Sequence, residues 1–351
     1  MIKKYVYGDP FFTDAVVKDI EKSEDKLPYF DVKDGVFTYA LSEDDIVYGL
    51  GEQIRGINKR GWQYVSWNYD NPNHHEDTRS LYGSHNFIII CGKQTFGAFF
   101  DYAGRMEFDI GYTKRSLMQI KPEKNDIAVY IITGENEKDI VKQFRQLIGR
   151  SYIPPFWAFG YGQSRWGYRN EQDIRTVAEK YKKAGVPLDS IYLDIDYMER
   201  YKDFTVDKER FPDLKKLSDD MKLQGIHLVP IIDAGVKIED GYDVYEEGVK
   251  NNYFCKNAEG KDFVGAVWPG RVHFPDFLQP EARDWFGRKY AALTDLGIEG
   301  FWNDMNEPAI FYTEDRLADT CNEIKKLTSG NMGINEYFAF TGMVAGLNGN
   351  K

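Results

Sequence analysis

Beyond Pro154-Pro155 the chain alternates short, largely apolar runs with stretches of helical period, and this rhythm limits the fold more than any other feature. Runs at 157–162, 191–195, 226–232 and 300–303 read as strands. Between them, Ile174, Val177, Ala178 and Tyr181 share one helix face, and Leu214, Leu217 and Met221 share a face of a helix over 212–223. Another helix begins at Pro280, a favourable first helical residue. Apolar strands joined by helices form a parallel sheet covered on both sides. The stretch 233–279 is expected to be a long irregular insertion. No Gly-x-Gly-x-x-Gly follows any strand, which disfavours a nucleotide-binding doubly wound sheet. Instead, polar residues collect where strands end: Arg165 and Trp166, Asp194 and Asp196, Asp233, then Asp304 and Glu307. Carboxylates delivered to one rim by successive strands are how a (β/α)₈ barrel builds a site. Four strands are countable where a barrel needs eight.

Before the prolines the rhythm is different. Runs rich in β-branched and aromatic residues recur at 36–41, 46–50, 62–66, 86–91, 95–101, 106–112, 117–121 and 127–132, separated by turn residues such as Gly92 and Gly104. The expectation is an antiparallel β-sandwich over 1–150. A linking helix at 137–148 places Ile140, Val141, Phe144, Leu147 and Ile148 on one face.

Composition then narrows the function. With 42% hydrophobic residues among 351, the chain can bury large cores and is not disordered. Forty-five Lys and Arg against 56 Asp and Glu leave a net charge of −11, which argues against a nucleic-acid partner. Three cysteines without paired spacing call for neither a disulfide framework nor structural zinc. No apolar run has signal-peptide or membrane-spanning length, so no membrane partner and a soluble, cytoplasmic setting are expected. The 7 Trp, 24 Tyr and 23 Phe serve either aromatic-rich packing or a surface that stacks sugars. Self-association into a homo-oligomer is left open.

Gly300-Phe301-Trp302-Asn303-Asp304-Met305-Asn306-Glu307-Pro308 is the most informative stretch: an aromatic strand that then presents two acids three residues apart. A capping box at a helix start reads this spacing equally well. Leu193-Asp194-Ile195-Asp196-Tyr197-Met198 repeats the theme. Strand alternation would turn Asp194 and Asp196 to one side and Ile195 to the other. Two like charges there need a partner or a ligand, and Arg200 and Lys202 are the nearby cations.

These residues resemble glycoside hydrolase family 31 of the α-glucosidase type. The run from Gly300 to Glu307 matches the family's active-site signature at every position. Asp194-Ile195-Asp196-Tyr197-Met198, Asp203-Phe204-Thr205, Val267-Trp268-Pro269-Gly270 and Phe274-Pro275-Asp276 resemble its other blocks, in order. Tyr48-Gly49-Leu50-Gly51-Glu52 and Leu81-Tyr82-Gly83 resemble its N-terminal domain. The resemblance implies a retaining α-glucosidase without cofactor or metal, acting on small oligosaccharides. It makes Asp304 the nucleophile and Glu307 a supporting carboxylate. It sets Asp194 against the far hydroxyls of the glucose in subsite −1, with Ile195, Ile231, Trp268, Trp302 and Met305 as walls and Trp166 at the edge. Asp70, or a neighbour in the loop 69–77, would reach the leaving-group sugar. The family's general acid/base lies well downstream of its nucleophile. The tail 313–351 shows none of the blocks expected there, so the resemblance implies that 151–312 is the first half of the (β/α)₈ barrel, its first four β/α units, and Glu314, Asp315, Asp319, Glu323 and Glu336 of the tail read as solvated acids.

Other readings compete. A catalytically incomplete glucan-binding fragment would keep the sugar walls without turnover, and an α-xylosidase or transglycosidase would share the family. A metal-dependent hydrolase could draw on Asp194, Asp196, His227, Asp233, His273 and Asp304, although no His-x-x-x-His spacing supports it.

Overall fold

The computed structural model describes residues 1–68 and 70–313; Tyr69 and the tail acids from Glu314 to Glu336 lie outside the described residues. The chain divides into two units, Met1–Tyr152 and Ile153–Lys351.

Ten strands make the first unit: β1 Ile2–Tyr7, β2 Asp31–Lys33, β3 Val36–Ala40, β4 Ile46–Gly49, β5 Trp62–Ser66, β6 Phe87–Cys91, β7 Phe96–Asp101, β8 Met106–Ile110, β9 Leu117–Pro122 and β10 Ile127–Thr133. They form two five-stranded antiparallel sheets, ordered β1-β10-β7-β6-β4 and β2-β3-β9-β8-β5. Alternation assigns the faces. In β10, Val129 and Ile131 join Phe37, Met106, Phe108 and Ile120 in the core between the sheets. Ala128, Tyr130 and Ile132 turn outward to meet Ile140 and Leu147 of α1 (Glu137–Leu147). Phe144 stacks on Phe87 at 3.7 Å. Val141 and Ile148, expected on the same face, stay exposed. The antiparallel sandwich is as expected, with two strands more than the apolar runs reveal. β1 carries Lys3 and Lys4 and lies at a sheet edge, where polar residues are tolerated. β2 is only three residues long.

In the second unit, β11 (Gly162–Gln163), β12 (Ser190–Leu193), β13 (His227–Asp233) and the later strand Trp302–Asp304 run parallel in that order. Helices α2 (Glu171–Ala184) and α3 (Leu214–Lys222) cross between the first three. This is the curled first half of a β/α barrel. The helices form where the sequence gives them both ends and a face. Asn170 caps α2 by accepting the Asp173 N–H, and Gly185 closes it at φ 67°, a conformation that favours glycine. Ile174 and Ala178 of α2, with Leu214, Leu217 and Met221 of α3, pack into one core with Ile191, Leu193, Leu228 and Ile231 of the strands.

Two expectations fail here. The run 157–162 is not a strand, because Phe156–Phe159 coil into a 3₁₀ turn behind the two prolines and pairing begins only at Gly162. The stretch 233–279 is not irregular. It holds β14 (Val236–Lys237), α4 (Asp243–Lys250), β15 (Gly265–Val267) and β16 (Gly270–His273), and α5 (Pro280–Lys289) and α6 (Ala291–Thr294) follow it. With β17 now fixed as Trp302–Asp304 and β18 as Tyr312–Thr313, a second, antiparallel sheet is ordered β14-β16-β15-β18. Among the described residues, no helix is long and apolar enough to cross a membrane.

Candidate active site

Strand β12 stops at Leu193, and Asp194 stops it. The Asp194 backbone stays extended while its carboxylate accepts the N–H of Ile195 at 2.8 Å, opening a 3₁₀ turn over Ile195–Tyr197. Alternation therefore does not reach Asp196, and the expected same-face pair does not exist. Asp196 is buried in the turn with Arg210 at 3.5 Å. Arg200 and Lys202, the partners expected for it, are engaged with Glu199 and Glu239 instead. The chain then passes Arg200, Tyr201 and Phe204 at φ 51°, 61° and 61°. Left-handed backbone at three non-glycine residues is strain of the kind that clusters at functional sites. Within that passage lies Asp203, fully buried.

Strand β13 ends at Asp233 and β17 at Asp304, and these two are register partners on adjacent strands. Three successive strands thus deliver Asp194, Asp233 and Asp304 to the C-terminal rim. The electrostatics show that they share one space. Burial raises the Asp194 carboxyl above its ordinary range, and the charges of Asp196 and Asp304 raise it further. Asp233 is pushed up to about 8, first by burial and then by Asp304 and Asp194. Asp203, fully buried, is raised far above the carboxylate range by desolvation and by Asp233. Its Oδ1 accepts the Asp233 N–H at 3.1 Å. Asp203 and Asp233 were not singled out as site residues from the sequence. A strand-end position was the available signal for Asp233, and the block Asp203-Phe204-Thr205 that resembles the family was the signal for Asp203, although neither told that the two would meet.

The apolar residues assemble around this rim. Ile195 and Ile231 are buried, and Trp302 and Trp268 pack against the same core. Trp268 also touches the cluster of Val267 and Met305, and so joins the two. Its ring lies 6.2 Å from that of Trp166, which is exposed, and 4.9 Å from Phe311, edge-on. Trp302 meets Tyr192 edge-on at 6.1 Å. The Tyr290 hydroxyl donates to Asn303 Oδ1 at 2.5 Å and ties β17 to the end of α5. Asp304 and Glu307 do not form a capping box, since the chain turns after β17 and no helix starts there. Glu307 Oε2 is buried without a hydrogen-bond partner among the described residues. Asp70 belongs to the first unit, exposed in the loop after β5.

Of the drawn metal ligands, the two histidines do not join the three strand-end aspartates. His227 opens β13 and Asp233 ends it, which at ~3.3 Å per residue separates them by ~20 Å. His227 stacks on Trp157 at 4.2 Å and bonds Glu299, while His273 Nδ1 lies 2.8 Å from the Phe263 carbonyl. Among the described residues no cluster of His, Cys, Asp and Glu is arranged to hold an ion.

A model of the glycosyl hydrolases family 31 TIM-barrel domain matches residues 151–343, more than half of the chain. The chain belongs to glycoside hydrolase family 31. The glycosyl hydrolase 31 N-terminal galactose mutarotase-like domain matches residues 15–109. Among family 31 relatives, α-glucosidase 2 of Bacillus thermoamyloliquefaciens is 44% identical over 273 residues, which is 77% of this chain and 35% of that protein. The α-glucosidase of Saccharolobus solfataricus is 29% identical over 331 residues, covering 92% and 48%. A solved family 31 dextranase of Flavobacterium johnsoniae, complexed with glucose, superposes with a TM-score of 0.74 at 28% identity, covering 82% of this chain and 36% of that one. The chain thus spans between a third and a half of the length of these family 31 proteins.

Proposed function

We propose that this chain carries the attacking half of a retaining α-glucosidase site, with Asp304 as the nucleophile toward terminal α-linked glucose. The observation that carries the reading is the convergence of Asp194, Asp233 and Asp304 at the ends of three adjacent parallel strands beside Trp302, Trp268 and Met305. Of the register pair, Asp304 is the less buried, while burial and the charges of Asp304 and Asp194 push Asp233 up to about 8. The family resemblance assigns the attack to Asp304. Its carboxylate bonds to the anomeric carbon as the glycosidic bond breaks, giving a covalent glycosyl-enzyme that water then opens with retained configuration. The leaving oxygen takes its proton from a second carboxyl about 5–5.5 Å away. The family resemblance assigns that acid to a strand following β17.

Asp194, half-buried and with an oxygen free of the Ile195 N–H, is suited to accept hydrogen bonds from sugar hydroxyls. The aromatic and aliphatic walls exclude water from an oxocarbenium-like transition state. Oligosaccharides of α-linked glucose are the proposed substrate class, since the relatives are α-glucosidases and a dextranase of the family has been solved with isomaltotriose.

The test is Asp304→Asn, which removes the attacking charge and keeps the shape. Turnover of an aryl α-glucoside should fall by about three orders of magnitude or more while maltose affinity, read by calorimetry, survives. Unchanged turnover would sink the assignment. A parent protein that binds maltose without any turnover would favour the glucan-binding reading.

A further inference from the structure

The pair Asp203–Asp233 is left over once the sugar site is described. Both carboxyls are buried, at 0% and 4% exposure. Asp203 Oδ1 accepts the Asp233 N–H, while Asp203 Oδ2 and Asp233 Oδ1 have no hydrogen-bond partner among the described residues. The neighbouring donors are spent elsewhere. The Tyr197 hydroxyl donates to the Ile231 carbonyl at 2.7 Å, the Tyr242 hydroxyl to the Asp203 carbonyl at 2.8 Å, and the Lys202 ammonium to Glu199 and Glu239. The ionisable groups that face Asp233 are Asp304 from β17, Asp194 from the end of β12, Asp203 from the turn below and Tyr197 from the 3₁₀ turn. All four are acids.

Carboxyls buried among acids cannot all hold charge. One that loses its charge gains an O–H and becomes a donor. We propose that Asp233 is a positioning residue for Asp304: a neutral carboxylic acid, seated on Asp203, whose O–H donates to the Asp304 carboxylate. The register places the two on adjacent strands at the same height. The upward shift of Asp233, caused by burial and by Asp304 and Asp194, agrees with the neutral form. A donor on one oxygen of Asp304 fixes the carboxylate plane, leaves the other oxygen free to attack and favours the charged form. The proposal rests on the reading of Asp304 as nucleophile and adds what orients its carboxylate.

The test uses the longest product of the gene and an aryl α-glucoside. Asp304→Asn is the control: hydrolysis that survives it overturns the reading of Asp304 and this proposal together. With hydrolysis shown to need Asp304, two variants are compared. Asp233→Asn keeps the shape and an N–H donor; Asp233→Ala removes the donor. The Asn variant should keep kcat within about thirtyfold of the parent, with the acidic limb of kcat/KM unmoved. The Ala variant should lose about a hundredfold or more, and its acidic limb should rise by about one pH unit, because an unsupported carboxylate takes up a proton more readily. An Asn variant that loses more than about thirtyfold, or an Ala variant whose acidic limb stays put, overturns the role of Asp233 while leaving Asp304 in place. Where the Ala variant does not fold, the Asn variant decides on the same limit.

Discussion

Asp194 and Asp196 carry the same charge two positions apart, and the fold puts them to different uses. Asp194 ends a strand with an oxygen to spare; Asp196 is buried against Arg210. A charge-assisted hydrogen bond to a sugar hydroxyl contributes roughly 1.5–3 kcal/mol. Asp194→Ala should therefore lower kcat/KM on an aryl α-glucoside by at least about tenfold, and by less on a substrate lacking the hydroxyl that Asp194 meets. Asp196→Ala should remove one of the carboxylates that Arg210 pairs with and lower the melting temperature, with no dependence on the hydroxyl pattern. Two variants assayed on two substrates decide it: a hydroxyl-dependent loss at Asp196 would misplace the subsite. In the sequence both acids look alike, since alternation would turn them to one side. The difference comes from Asp194 bonding the next N–H and ending the strand, which no periodicity announces.

At the scale of elements, long periodic segments were legible and short ones were not. Eight of the sandwich strands and the helices α2, α3 and α5 bury a face wide enough to leave a pattern. Strands β14, β15 and β16 span two to four residues and are fixed by pairing with one another, so 233–279 reads as loop. Helix α4 hides for a further reason, because Gly248 sits within it. The glycine is there for space: a Cβ would lie 2.6 Å from Cε2 of Phe254, a fully buried ring. Gly248→Ala should therefore destabilise by about 1–3 kcal/mol, despite the better helix propensity of alanine. Thermal unfolding followed by circular dichroism checks this. A gain in melting temperature would mean that Phe254 yields more easily than its burial implies.

Across the whole molecule, the carboxylates that make the site also set a pH dependence. Asp233, at about 8 in the fold, holds a proton that the unfolded chain releases near 4. Between those values the native state binds more protons, so this group's contribution is complete below about pH 4 and is lost as pH rises toward 8. The loss is at most about 1.4 kcal/mol per pH unit. The melting temperature of the unit containing β11–β17 should fall from pH 5 to pH 8, and the fall should be shallower in Asp233→Asn. An equal slope in both proteins would mean that Asp233 is charged in the fold. The family resemblance made the half-barrel legible at this scale, since the blocks around Asp194, Trp268 and Asp304 occur in order along the chain. Their convergence required the register that sets Asp233 beside Asp304. Every role proposed for the rim turns on Asp304 attacking the sugar. A fluorinated α-glucosyl donor that forms a long-lived glycosyl-enzyme, incubated with the longest product of the gene and followed by peptide mapping, tests it most directly. One labelled peptide, with the sugar on Asp304, is expected; a label on Glu307, Asp194 or Asp233 would refute Asp304 as the nucleophile.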